Sequence, residues 1–124
     1  MEPFVREATN KTPYLNFNAR EGYIQIKGRS IPENAHLLFD PIMEWLDKYI
    51  SNPSPVTRVD IQLEYFNTIS SINLLNVFKK INELYKRNNK ATISWYCDKD
   101  DEDMIEAGED YQAVVDIPIK IIEV

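Results

Sequence analysis

Four stretches of this chain alternate apolar and polar residues with a period of two, and that pattern constrains the fold more than any other feature. Leu15 and Phe17 alternate with Tyr14, Asn16 and Asn18, and Ile24 and Ile26 are the apolar positions of Tyr23 to Lys27. Val59, Ile61, Leu63 and Tyr65 alternate with Asp60, Gln62, Glu64 and Phe66, and Ala91, Ile93 and Trp95 repeat the pattern. Successive side chains of a strand point to opposite faces, so each stretch predicts a strand with one apolar and one mainly polar face. Strands covered on both faces read instead as continuous apolar runs. The alternation therefore predicts a mixed sheet with helices mostly on one face and the other face more open.

The intervening segments carry helical spacing. Ser30, Ile31, Pro32 and Glu33 have the layout of a capping box, with proline tolerated in a first turn, so a helix is expected to start there. Ala35, Leu38, Phe39, Ile42, Met43, Leu46, Tyr49 and Ile50 make its buried stripe, which ends before Pro53 and Pro55. Asn67, Thr68, Ile69, Ser70 and Ser71 read as a short hydroxyl-rich joint, followed by a stripe at Leu74, Leu75, Phe78, Ile81 and Tyr85, with Asn88 and Asn89 as stops. A strand, a helix and a strand in this order predict a right-handed parallel crossover. Met104, Ile105, Ala107 and Tyr111 suggest a short third helix with acids in its first turn, and Ile119, Ile121 and Ile122 a last strand.

Ala19 to Gly22 would turn the first two strands into a hairpin, and residues 1–13, without periodicity, read as a partly ordered tail. The expectation is one α/β (α+β) domain over residues 1–124, with about five strands and three main helices, a length at which one core suffices.

Composition narrows the function. With 20 acidic against 14 basic side chains, the net charge is -6. No basic run exists to hold phosphate groups, so neither nucleic acid nor an anionic membrane is an expected partner. One histidine and one cysteine leave little material for a zinc site or a histidine-based triad, and no cofactor is implied. Lone Cys97 cannot form an internal disulfide, and no apolar run approaches a membrane span or a signal peptide, so a cytoplasmic location is expected. Asp98, Asp100 and Glu102 have the first spacings of a calcium loop, but Asp103 stands where such a loop requires glycine. Those acids read as the solvated start of a helix. His36, without nearby partners, reads as a surface helix residue.

The joint from Tyr65 to Ser71 is the most informative segment. Three hydroxyls and an asparagine sit where a half-polar strand feeds a helix N-terminus, a place with free amides and the positive end of a dipole. Capping alone accounts for one such residue. The surplus makes a second use plausible, because a phosphate added here brings close to two negative charges to a site that favours an anion.

The run Gly28, Arg29, Ser30, Ile31, Pro32, Glu33, Asn34, followed by Leu63, Tyr65, Phe66, Asn67, Thr68, Ser70 and Ser71, resembles the SiaC family of bacterial regulatory phosphoproteins. Trp95, Tyr96, Asp98 and the Gly108, Glu109 pair also fit. The resemblance implies a fold similar to STAS domains, the class of the anti-sigma factor antagonists. It also implies a switch: a partner kinase and a partner metal-dependent Ser/Thr phosphatase act on a hydroxyl after the central strand, and the unphosphorylated form engages an effector, a diguanylate cyclase in the characterised system. The family's phosphothreonine falls on Thr68. Ile69 departs from the small polar residue expected there, which keeps Ser70 and Ser71 as alternatives.

On that basis Tyr65, Phe66, Asn67, Thr68, Ser70 and Ser71 are the expected partner-binding residues, and the protein is expected not to be an enzyme. Two other readings stand beside it. One is an interaction scaffold that is never phosphorylated. The other is a carboxylate-based enzyme using Asp60, Glu64 and the Asp98 to Asp103 run, which would need at least one buried carboxyl of raised pKa.

Overall fold

A computed structural model describes residues 1–124. Its elements in chain order are β1 (Phe4–Arg6), β2 (Tyr14–Asn18), β3 (Tyr23–Ser30), α1 (Ala35–Ser51), β4 (Val56–Phe66), α2 (Thr68–Lys86), β5 (Lys90–Cys97), α3 (Glu102–Gln112) and β6 (Ile119–Glu123). The six strands form one sheet in sequential order, antiparallel from β1 to β3 and parallel from β3 to β6. Each parallel step is bridged by one helix. Three crossovers that advance in the same direction with a common hand lie on the same face, which is why the helices share one side.

The register carries the alternation across the whole sheet. Phe17, Ile24, Val59, Ile93 and Ile119 form one inward row, and Leu15, Ile26, Ile61, Trp95 and Ile121 the next. All but the half-buried Ile121, which packs against it, join the apolar faces of the helices in a single cluster of 27 buried residues. The opposite rows, such as Asn16, Gln25, Asp60, Ser94 and Lys120, stay partly solvated. Burying one side chain such as Ile61 contributes about 1.5–3 kcal/mol, so the pattern specifies the face strongly.

Three local readings change. A sixth strand comes from the segment read as tail, where Phe4 pairs with Phe17 and the rings meet edge to face at 5.4 Å. The capping box does not form: β3 continues through Ser30, and Asn34 caps α1 by accepting from the His36 amide at 3.1 Å. Ser30 is instead buried, facing a partner far along the chain. The hydroxyl-rich joint shrinks to one residue, because Asn67 is the N-cap of α2 and Thr68 to Ser71 are its first turn.

Helix α1 also accommodates Pro41, which cannot donate to the Leu37 carbonyl. The Arg6 guanidinium donates to that carbonyl at 3.4 Å, tying β1 to the helix. At the other end of α2, Asn88 adopts φ 66° and the Asn89 amide reaches back to the Leu84 carbonyl at 3.1 Å, a left-handed stop of the kind the two asparagines predict.

Candidate functional site

The end of β4 and the start of α2 are shaped by a β-bulge. Opposite Gly28 and Arg29, the β4 register passes from Leu63 to Tyr65 and leaves Glu64 unpaired. A bulge of one residue reverses the facing of every side chain that follows. Tyr65, inward by simple alternation, therefore lies 55% exposed, while Phe66 turns inward and meets the Trp95 ring edge to face at 6.0 Å. Glu64 is exposed beside it.

Helix α2 begins under firm control. The Asn67 side chain accepts from the Ser70 amide at 2.8 Å, and the first turn holds no acidic residue, so no acid of that turn compensates the positive end of the helix dipole. The three candidate hydroxyls have different fates. Thr68 is exposed. Ser70 is 0% exposed, and its Oγ donates to the Ser30 carbonyl at 2.9 Å and lies 2.7 Å from the Ser30 Oγ. Ser71 is half-buried, and its Oγ donates to the Thr68 carbonyl at 2.7 Å.

Close to Thr68 along the chain, large apolar side chains reach the surface. Ile69 and Ile72 are 56% and 57% exposed, and Ile72 borders a shallow groove with Phe66, Leu75, Ala107 and Tyr111, edged by Asp110. The periodicity of α2 missed these two isoleucines as surface residues; their position off the Leu74, Phe78, Ile81 stripe was the available signal. Beneath the groove, Phe78, Trp95 and Tyr111 pack as tilted and edge-to-face rings at 4.8–6.3 Å. The Tyr111 hydroxyl donates to the Ser71 carbonyl at 2.8 Å, and burial, with Asp110 nearby, raises its pKa well above the ordinary phenol range. Of the six expected partner-binding residues, Tyr65 and Thr68 form exposed surface, Phe66, Asn67 and Ser71 are half-buried, and Ser70 lies underneath.

The acids form no buried cluster: Asp98, Asp100, Asp101, Glu102 and Asp103 line one open pocket at the surface, and none of them is buried. Asp60, on the open face, accepts the Tyr23 hydroxyl at 2.8 Å, while Glu64 sits beyond the bulge. Asp101 caps α3 through the Met104 amide at 3.1 Å, with Glu102 and Asp103 in the first turn. No three His, Cys, Asp or Glu side chains are placed to hold one ion. Burial, followed by Glu123, Asp101 and Asp98, raises the pKa of the Cys97 thiol, which leaves it a packed core residue. His36 is exposed and lies 3.4 Å from Asp40 one turn on.

A one-sided mixed sheet whose strand β4 leads into a helix start bearing an exposed hydroxyl, with Tyr65, Ile69 and Ile72 exposed in the same segment, has the makeup of a regulatory domain with an apolar surface patch and no catalytic cluster. Among known proteins, residues 6–124 match the SiaC family regulatory phosphoproteins, and the chain belongs to that family. A relative from Pseudomonas aeruginosa (strain UCBPP-PA14), itself uncharacterized, is 23% identical over 113 residues, covering 91% of this chain and 90% of its own length. The fold matches apo-SiaC from Pseudomonas aeruginosa with a TM-score of 0.90, at 21% identity over 98% of this chain and 99% of that one. It also matches a structure described as the diguanylate cyclase SiaD in complex with its activator SiaC, from the same organism, with a TM-score of 0.92 at the same identity and coverage.

Proposed function

We propose that this protein is a partner-switching regulator whose phosphorylation at Thr68 controls docking of an effector. The observation that carries the reading is the sorting of three neighbouring hydroxyls: Thr68 is exposed, Ser71 is half-buried and Ser70 is enclosed. A kinase needs a reachable hydroxyl, which favours Thr68 over the two serines. The unmodified surface, with Tyr65, Ile69 and Ile72 as apolar anchors, suits a protein partner.

Phosphorylation replaces a neutral hydroxyl by a group of about -1.5 to -2 charges at neutral pH. The free domain tolerates it, because the α2 dipole and its acid-free first turn favour an anion there. A bound partner does not, since burying an unpaired charge is costly and about 1.4 kcal/mol already lowers affinity tenfold. Exposed Glu64 adds like-charge repulsion. By likeness to the SiaC that activates SiaD, the effector is a diguanylate cyclase. The switch further calls for a protein kinase and a metal-dependent Ser/Thr phosphatase to set the state of Thr68. Such a circuit draws on ATP and so operates in the cytoplasm.

The test compares wild type, Thr68→Ala and Thr68→Glu for capture of a diguanylate cyclase from the source organism. Retention by Thr68→Ala and a loss of at least tenfold in affinity by Thr68→Glu is the expected result. Equal binding by both variants removes Thr68 from the switch. Intact mass of the protein from its native cells, before and after phosphatase treatment, separates the switch from a scaffold that is never modified.

A further inference from the structure

Ser30 and Ser70 are separated by 40 residues and meet in the core. The Ser70 hydroxyl has one proton and donates it to the Ser30 carbonyl at 2.9 Å; the 2.7 Å contact between the two Oγ atoms is therefore donated by Ser30. The Asn67 amide donates to the same Ser30 carbonyl at 3.1 Å. Three hydrogen bonds thus converge on one residue at the end of β3, where both side chains are essentially without solvent exposure.

The consequence for the helix is angular. Successive residues of an α-helix are about 100° apart, so Thr68, two residues before Ser70, lies on the opposite side of the turn. Fixing Ser70 against the sheet directs Thr68 to solvent, and Ile72, two residues after Ser70 and four after Thr68, lies on that same outer side.

We infer that Ser30 and Ser70 form a buried hydroxyl lock that positions the first turn of α2 and thereby makes Thr68 the hydroxyl presented for modification. This role rests on the phosphorylation reading above. Ser70 is then a positioning residue, and neither serine is modified.

Wild type, Ser30→Ala, Ser70→Ala, the double variant and the hydroxyl-retaining Ser30→Thr test it, each expressed in the native cells. Phosphate occupancy at Thr68 is read by peptide mass spectrometry, and amide exchange over residues 67–71 and over β5 is read on the purified proteins. The expected result is a severalfold fall in Thr68 occupancy with at least tenfold faster exchange confined to residues 67–71. The double variant should match the single ones, because partners in one network are not additive, and Ser30→Thr should restore occupancy. Unchanged occupancy in the alanine variants overturns the lock while leaving the switch intact. Exchange accelerated equally in β5 also overturns it, since that marks a general loss of stability. Absence of phosphate from wild-type Thr68 instead defeats the switch itself, and the lock's role with it.

Discussion

The Tyr111 hydroxyl donates a 2.8 Å hydrogen bond to the Ser71 carbonyl, joining α3 to the first turn of α2 across 40 residues of sequence. It ties the candidate site to α3 through a contact separate from the Ser30–Ser70 pair, and the same ring packs edge to face on Phe78 at 4.8 Å. Tyr111→Phe keeps the ring and removes the bond. A loss of about 1 kcal/mol in unfolding free energy is expected, read by urea denaturation with an unchanged slope. A neutral result would show that water replaces the phenol without cost.

Charge placed at neighbouring positions of the α2 turn should have opposite effects. Thr68→Asp puts a carboxylate at an exposed helix start and is expected to change stability by about 0.3–1 kcal/mol, in the stabilising direction. Ser70→Asp puts it where no solvent reaches and should cost several kcal/mol. Denaturation midpoints of the two variants check this, and similar midpoints would contradict the burial of Ser70.

Gly108 lets α3 approach the sheet. A Cβ at that position would stand 2.8 Å from Trp95 Cδ1 and 3.2 Å from Ile121 Cγ1, while the Trp95 indole donates to the Met104 carbonyl at 2.9 Å and so resists moving. Gly108→Ala is expected to cost about 1–3 kcal/mol and to lower Tm by roughly 4–12 °C. Thermal unfolding followed by tryptophan fluorescence reads it directly, and an unchanged Tm would mean that the helix shifts freely.

Stability should decline at alkaline pH. The Tyr23 phenol is pushed up to about 12, first by burial and then by its hydrogen bond to Asp60, and that of Tyr111 is raised by burial. A folded pKa above the unfolded value of about 10 means that the folded state holds the proton more tightly. The contribution is complete below pH 10 and is lost as pH rises through the folded value near 12. Tyr23→Phe should therefore flatten the decline between pH 10 and 12 relative to wild type, a difference in which the raised pKa values of Cys97 and Lys80 cancel. Parallel curves for the two proteins would exclude Tyr23 as a contributor.

Asn67 holds the start of α2 through its bond to the Ser70 amide. Asn67→Ala is expected to cost about 1 kcal/mol and Asn67→Asp to keep most of that stability, measured by urea denaturation, because an aspartate accepts the same bond.

Much of the architecture is legible along the chain because it is written in periodicities. Period two in Val59–Leu63 and Ala91–Trp95 and helical spacing in Leu38–Ile50 and Leu74–Ile81 follow from burial of one face, a requirement each segment meets by itself. Strand β1 was not legible, since three residues cannot display a period and Phe4 is held by Phe17. The capping-box reading of Ser30 failed for a related reason: the motif is local, whereas the hydroxyl has a better partner 40 residues away.

The candidate site divides along the same line. The sequence alone determined that several hydroxyls follow the central strand at a helix start, and residue chemistry with order along the chain was enough to mark Thr68, Ser70 and Ser71. Only the tertiary structure decided which of them meets solvent. Exposure depends on what β3 and α3 bring against the first turn of α2, and on a bulge that turns Tyr65 outward and Phe66 inward. These are contacts between distant segments, where burial and hydrogen bonding are settled together, and no local pattern encodes their outcome.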